Sequence, residues 1–322
     1  MGDRRWLAMK APSKLGGMGL NELEYRQLQI ALARTSGALT FLQTQHQSAV
    51  SKLAASDNTV LQREFFPDVA CGKLLVGVGF SHLRRRGTPM VRATETEGGY
   101  LISGRVPWIT GYGLFDRFIL GATLADGREL YGVLPFTDTV LQSDGEVTYS
   151  QPMPLLAAAA TNTVSAQIDR WYLPRDRVVS INSAGAIHHS SKKNILNHGF
   201  YAIGCAWAGL DLLQNAAADR QLEFLHEAWQ NLSSEVRTIE AQAIEAISSV
   251  EIDYLKKLNI RAEAIALAQR CSSAAVVASS GAANYLHSSA GRVYREALLF
   301  SVSGQTIDVM QVSLNLLTEH RI

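Results

Sequence analysis

Between Asn21 and Lys73 apolar residues return every three or four positions, in ELEYRQLQIALART, ALTFLQTQHQSAVSKLAAS and NTVLQREFFPDVACGK. That spacing places one face of a helix on a core, so three helices are expected. Ser56-Asp57-Asn58 supplies a cap for the third, because a short polar side chain accepts an otherwise unpaired N–H of the first turn. From Leu74 to about Ile181 the texture changes. LLVGVGF, GGYLISG, RFILGATL, LYGVLPF, TVSAQI and RWYLP are short, β-branched or aromatic runs separated by Gly, Pro and Asp, and they predict strands. The stretch Gly98 to Thr110, GGYLISGRVPWIT, predicts two strands around a tight glycine bend. From Asn194 onward the pattern is helical again and free of proline, with AIGCAWAGLDLLQNAAADRQLEFLHEAWQNL and IRAEAIALAQRCSSAAVVAS the clearest segments. Ala202, Ala206 and Gly209 form a small-residue face on which a neighbouring helix can approach closely. The order predicts an α+β fold: an N-terminal helical domain over residues 1–73, a middle β-barrel or β-sandwich domain over 74–181, and a C-terminal helical bundle over 182–322.

Composition narrows the class of partner. With a formal net charge of +1 and 18% charged residues in 322, the chain lacks the basic stripe of a nucleic-acid binder. Cys71, Cys205 and Cys271 are odd in number and far apart, which predicts no disulfide framework and fits a reducing cytoplasm. The start, MGDRRWLAMKAP, has no apolar stretch of the signal-peptide kind, and Trp6 stands where a myristoylation site needs Ser or Thr. The longest uncharged run, Val147 to Ile168, is broken by two prolines and predicts no membrane span.

Several motifs invite chemistry and fail on detail. Gly77-Val-Gly79 suggests a dinucleotide turn, but His82 occupies the third glycine position and strands are expected to follow. No G-x-S-x-G elbow occurs. His188, His189 and His198 have no carboxylate or cysteine at ligand spacing, so they are read as loop histidines and no metal site is expected. The run Arg84-Arg85-Arg86 is either a solvated loop or a phosphate-capturing fork.

Taken in order, other segments resemble the acyl-CoA dehydrogenase superfamily, flavoproteins of helical, β and helical build. Gly98 to Thr110 is similar to that family's G-x-Y-x-L-N-G-x-K-x-W-I-T, with Ser103 in place of Asn. Asp169 to Val178 is similar to the V-P-x-x-x-V close of its β domain. Phe65 to Gly72 resembles L-P-x-L-A-x-G-E, and Gly16 to Leu20 an early G-G-x-G. The resemblance implies FAD as cofactor, with Trp108 packing beside the isoalloxazine, Thr110 bonding near its N5, and Phe80-Ser81 meeting its pyrimidine edge. An indole face and a hydroxyl suit those tasks chemically. Arg220, Gln305 and Thr306 are the further cofactor positions it implies. It also implies an acyl thioester substrate, CH–CH oxidation, and a homo-oligomer (dimer or tetramer) whose second subunit completes each flavin site.

The departures bear on the reaction. The family draws its α-proton base, a carboxylate, from one of two places. Arg292 to Ala297 resembles R-x-x-R-D-A, but Ser303 stands where the following glutamate belongs, and Asn194 to His198 offers no acid either. The catalytic residue is therefore unknown from sequence, with His82 and Glu296 as substitutes, although Glu296 is better read as the i,i+4 ion-pair partner of Arg292. T-E-P-x-x-G-S-D becomes Ser81 to Thr88 without its acids, and R-x-x-F-G survives only as Arg220-Gln-Leu-Glu-Phe224. Three readings follow: a flavin-dependent dehydrogenase-like oxidoreductase, a flavin monooxygenase of the same superfamily, and a non-catalytic relative.

Overall fold

The computed structural model describes residues 6–142, 145–249 and 252–318; the leader and myristoylation readings bear partly on residues 1–5, outside that range. Contacts divide the chain into two units. The first comprises Met1–Asn21, Phe41–Pro154 and Ala159–Ser191, and the second Glu22–Thr40, Leu155–Ala158 and Lys192–Ile322.

The first unit is built on a mixed sheet. Its strands are β1 (Val76–Gly79), β2 (Val91–Thr96), β3 (Gly99–Ile109), β4 (Arg117–Thr123), β5 (Glu129–Pro135), β6 (Thr139–Val140), β7 (Glu146–Tyr149), β8 (Val164–Pro174) and β9 (Val178–Asn182). They lie in the order β6-β7-β8-β3-β2-β4-β5-β9, and β1 pairs in parallel with β4. Alternation along β4 explains how both faces are covered. Phe118, Leu120 and Ala122 enter a core with Ile102, Val106 and Val164. Ile119 points the other way, into a core with Leu53, Leu61 and Phe66 from the helices α2 (Gly37–Ala54) and α3 (Thr59–Cys71). The expected cap is Asn58, which accepts the Leu61 N–H at 3.0 Å while donating to the carbonyls of Asp176 and Val178.

Two strand expectations are corrected. TVSAQI and RWYLP merge into the single strand β8, and GGYLISGRVPWIT is one strand ending at Ile109 rather than two around a bend. The irregularity near Gly104 is absorbed as a bulge in the facing strand. Ile102 pairs with Trp171 and Gly104 with Ile168, so Asp169 and Arg170 together oppose Ser103. Arg170 takes a left-handed φ of 44° there, and its N–H donates to the Ser103 hydroxyl at 3.0 Å. Glycine at 104 is required by close approach: a Cβ would come within 2.1 Å of the Met90 carbonyl oxygen.

The second unit is helical, formed by α1 (Glu22–Thr35), α5 (Asn197–Arg220), α6 (Glu223–Ser248), α7 (Tyr254–Ser279), α8 (Ser289–Val302) and α9 (Ile307–Thr318). The short α4 (Ala186–Lys193) precedes it. The long segment AIGCAWAG…AWQNL breaks at Gln221, whose φ of 52° ends α5 in a left-handed cap. The small-residue face works inside this unit. A Cβ on Gly204 would lie 2.4 Å from the Ile30 carbonyl oxygen of α1, and one on Gly209 would lie 2.7 Å from the Cys271 carbonyl of α7. Gly209 sets the small-residue face on α7, while Gly204, two residues from Ala202 and Ala206, lies on the other side of α5 against α1. With Ala202 and Ala206 fully buried, that face is covered within this unit and is not left for a second subunit. Among the described residues no helix is long and apolar enough to cross a membrane.

Candidate functional site

Trp108 owes its position to its neighbour. Pro107 has no N–H to give the ladder, and between Val106↔Ala166 and Ile109↔Val164 the strand β3 holds two residues against one. Such a bulge re-aims side chains. Val106 and Ile109 stay buried while the Trp108 indole is 46% exposed. The rim is therefore not filled by the indole's own packing, and a large aromatic face stands open beside it.

Thr110 follows, 5% exposed. Its hydroxyl lies 3.0 Å from that of Thr163, which lies 3.3 Å from that of Thr161. Backbone bonds from Gly111 N to the Thr161 carbonyl and from Tyr112 N to the Asn162 carbonyl hold the two segments together. Gly111 serves this turn at φ 100°, where a Cβ would strike the Phe115 ring. Three hydroxyl hydrogens serve two contacts in the chain. When Thr161 donates to Thr163 and Thr163 to Thr110, the Thr110 hydrogen is left to point outward.

At the end of β1, Gly77 and Gly79 leave room for the Phe115 and Phe118 rings, and a Cβ on Gly79 would touch Ile109. Close packing, rather than a phosphate turn, explains this glycine pair. It brings Phe80 and Ser81 to the neighbourhood of β3's end. The Ser81 side is exposed, whereas the Phe80 ring is 8% exposed and packs edge-on to Tyr131 at 5.5 Å. Phe80 is thus a core side chain whose contribution to any ligand is limited to its backbone.

Beneath it lies a polar cluster. The Lys52 ammonium sits 3.5 Å from the Tyr131 ring centroid, and burial lowers its pKa to about 8 against the pull of Glu129. Glu129, 4% exposed, accepts the Tyr131 hydroxyl at 2.9 Å and the Ile187 N–H. His82 is buried, donates from Nε2 to the Gly121 carbonyl at 2.9 Å, and has its pKa pushed down to about 4 by burial, with the Arg85 cation adding to the effect. Such a histidine is a feeble base near neutral pH. His82, Arg85, Thr88, Thr123, Glu129 and His188 line a cavity of about 160 Å³, below the usual span of cofactor sites. Arg84 is not solvated as a loop arginine: it is half-buried and donates to the Ser191 hydroxyl at 3.0 Å, while Arg85 and Arg86 are exposed.

In the second unit, Arg220 is exposed at the end of α5, and Gln305 and Thr306 are half-buried before α9. The Thr306 hydroxyl accepts the Val309 N–H at 3.3 Å and so caps that helix. Glu296 is 3% exposed and binds Arg292 at 2.7 Å, as its spacing predicted. His188 and His189 belong to α4, and His198 to the first turn of α5, so none is a loop histidine. His198 instead meets Ser303, Nδ1 to Oγ at 3.1 Å. This pair, the Thr161–Thr163–Thr110 chain and the Lys52–Tyr131–Glu129 cluster carry no spacing signal in the sequence.

No family model matches the chain. Very long-chain specific acyl-CoA dehydrogenase of Mus musculus is 26% identical over 216 residues, 62% of this chain and 32% of the mouse protein, so the match spans about a third of that relative. An acyl-CoA dehydrogenase from Geobacillus kaustophilus superposes with a TM-score of 0.80 at 12% identity, covering 99% of this chain and 88% of that one. A glutaryl-CoA dehydrogenase from Mycobacterium smegmatis in complex with FADH2 gives 0.78 at 17% identity, over 98% and 84%. The resemblance read from the motifs, and the helical, sheet and helical architecture it implied, are borne out.

Proposed function

We propose that this chain, which carries the acyl-CoA dehydrogenase fold, is a flavin-dependent oxidoreductase that holds FAD and acts on an acyl thioester or related small molecule by CH–CH oxidation. The observation that carries the reading is the Trp108 indole, turned out by the Pro107 bulge and 46% exposed, two residues from a buried, hydrogen-bonded Thr110. A flat apolar face beside an oriented hydroxyl suits a tricyclic ring with polar edge atoms. When bound, the flavin supplies a two-electron acceptor. The protein's part is to stack the ring on Trp108, to donate from Thr110 along the hydroxyl chain, and to offer the exposed Ser81 hydroxyl and Phe80 backbone to a polar edge. Exposed Arg220 is the cation we assign to a cofactor phosphate, with Gln305 and Thr306 beside α9 as further contacts.

Self-association belongs to the same proposal, on a surface other than the small-residue face of α5. Ile307, Met310, Leu314 and Leu317 recur at three- and four-residue spacing along α9, each 46–65% exposed, which is costly to leave in water. The test is the visible absorption spectrum of the purified protein with and without added FAD. Near-stoichiometric flavin is expected, with Trp108→Ala lowering retention at least tenfold. A wild-type protein that takes up no FAD overturns the reading in favour of a non-catalytic relative.

A further inference from the structure

Many cations of this chain are committed to partners. Arg34 pairs with Asp211 and Arg177 with Glu64, and the buried Arg261 guanidinium donates to the Ile195 carbonyl at 3.0 Å, the Ser303 carbonyl at 2.9 Å and the Gly304 carbonyl at 3.1 Å. Lys14 and Arg63 differ. Among the described residues neither side chain has an ion-pair or hydrogen-bond partner, and both border one groove of about 840 Å³ in the first unit, within the usual span of small-ligand sites. Among the described residues no carboxylate lines that groove.

Two walls form it. One is a face of α3, where Thr59, Arg63, Phe66, Pro67, Ala70 and Cys71 share a stripe at helical spacing. Glu64 and Asp68 fall on another side of the helix, where Glu64 takes Arg177. The other wall is the turn Ser13–Leu15, closed by bonds from Leu15 N to the Pro12 carbonyl and from Gly16 N to the Ser13 carbonyl, each 2.9 Å. Gly16, at φ 81°, seats that turn on α3, since a Cβ there would come within 3.0 Å of the Ala70 Cβ. The floor is apolar: Phe66 is 2% exposed, and Leu15 and Ala70 are half-buried, whereas Lys14 and Arg63 are exposed. Gln62 offers a ligand no donor, because its amide nitrogen is held by the Leu53, Ala54 and Ser56 carbonyls.

We propose that this groove binds a free carboxylate of the fatty-acid type, a single apolar chain ending in one anion. The stripe from Thr59 to Cys71 runs about 18 Å at 1.5 Å per residue, which suits an extended chain. That chain takes the apolar floor out of water, and Lys14 and Arg63 supply the counter-charges from opposite walls. A floor recessed between exposed cations admits a slender chain and not the flat surface of a bilayer.

The test reads Cys71, which is exposed at one end of the stripe while Cys205 and Cys271 are buried. The full chain is alkylated with iodoacetamide under increasing dodecanoate, kept below its micellar concentration, and Cys71 modification is followed by peptide mass spectrometry. Dodecanoate is expected to slow alkylation at least fivefold and to saturate, with Cys205 and Cys271 staying unmodified. Lys14→Gln and Arg63→Gln are each expected to raise the half-protecting concentration about fivefold, and Arg92→Gln, an exposed cation outside the groove, to leave it unchanged. Absence of protection, equal protection by 1-dodecanol or by inorganic phosphate, or unshifted midpoints in both groove variants overturns the inference. Protection that appears only with phosphatidylglycerol vesicles overturns it as well, in favour of a lipid surface.

Discussion

Acidifying the solution to about pH 4.5 charges the histidines of an unfolded chain well before it charges His82. The imidazole is 4% exposed and its Nδ1 has no hydrogen-bond partner within the protein, so no protein acceptor there stabilises the cation. Its folded pKa is lowered from 6.5 to about 4. A depressed folded pKa contributes stability that is fully present above 6.5 and is lost as pH falls toward the folded value. Between neutrality and about pH 4.5 the loss from this single group is about 2.5 kcal/mol, since each pKa unit is worth about 1.4 kcal/mol. Urea unfolding of wild type and His82→Gln at both pH values isolates the effect, because the glutamine amide can still donate to the Gly121 carbonyl. The equally buried His46, also lowered to about 4, remains in both proteins. The variant is expected to lose about 2.5 kcal/mol less than wild type on acidification. Equal losses in the two proteins would show that His82 is not held neutral by its surroundings, and the reasoning would be refuted.

Gly209→Ala is expected to cost the second unit about 1–3 kcal/mol, because the new methyl meets the Cys271 carbonyl, and backbone cannot step aside as a side chain can. Calorimetry reads this directly, and an unchanged melting profile would mean that α5 and α7 are less closely packed than described. Asn58→Ala removes the α3 cap and two donors to the Asp176 and Val178 carbonyls, with an expected loss of about 1–2 kcal/mol. A loss under a few tenths would place the anchoring of that loop elsewhere.

What could be read in advance was local. Three- and four-residue periodicity located α1, α2 and α3, the polar triplet 56–58 located the cap of α3, which the structure assigns to Asn58, and i,i+4 spacing paired Arg292 with Glu296. Small residues on α5 announced a close crossing, although not that α7 of the same unit would make it. The errors share one cause: they concern partners distant in sequence. Whether a glycine makes a bend or a bulge depends on the facing strand, and only β8 shows that Arg170 takes the strain opposite Ser103. Gln221 ends a helix that its neighbours' propensities would have continued, because the left-handed turn is favoured by packing and not by the residue itself. The Ser303–His198 contact has no periodic signature at all, since each residue is unremarkable within its own segment.

Arg261 has a consequence for how such a protein can change over time. One guanidinium rooted in the helical core grips three main-chain oxygens, one before α5 and two after α8. Because backbone oxygens are the same whatever side chain each residue carries, the grip itself does not depend on the side chains at 195 and 303, whereas position 304 is held to glycine by its left-handed φ of 58° and the nearby imidazole. The path of the chain at this corner is thus set from the interior of the bundle, by a side chain distant in sequence from both segments it joins.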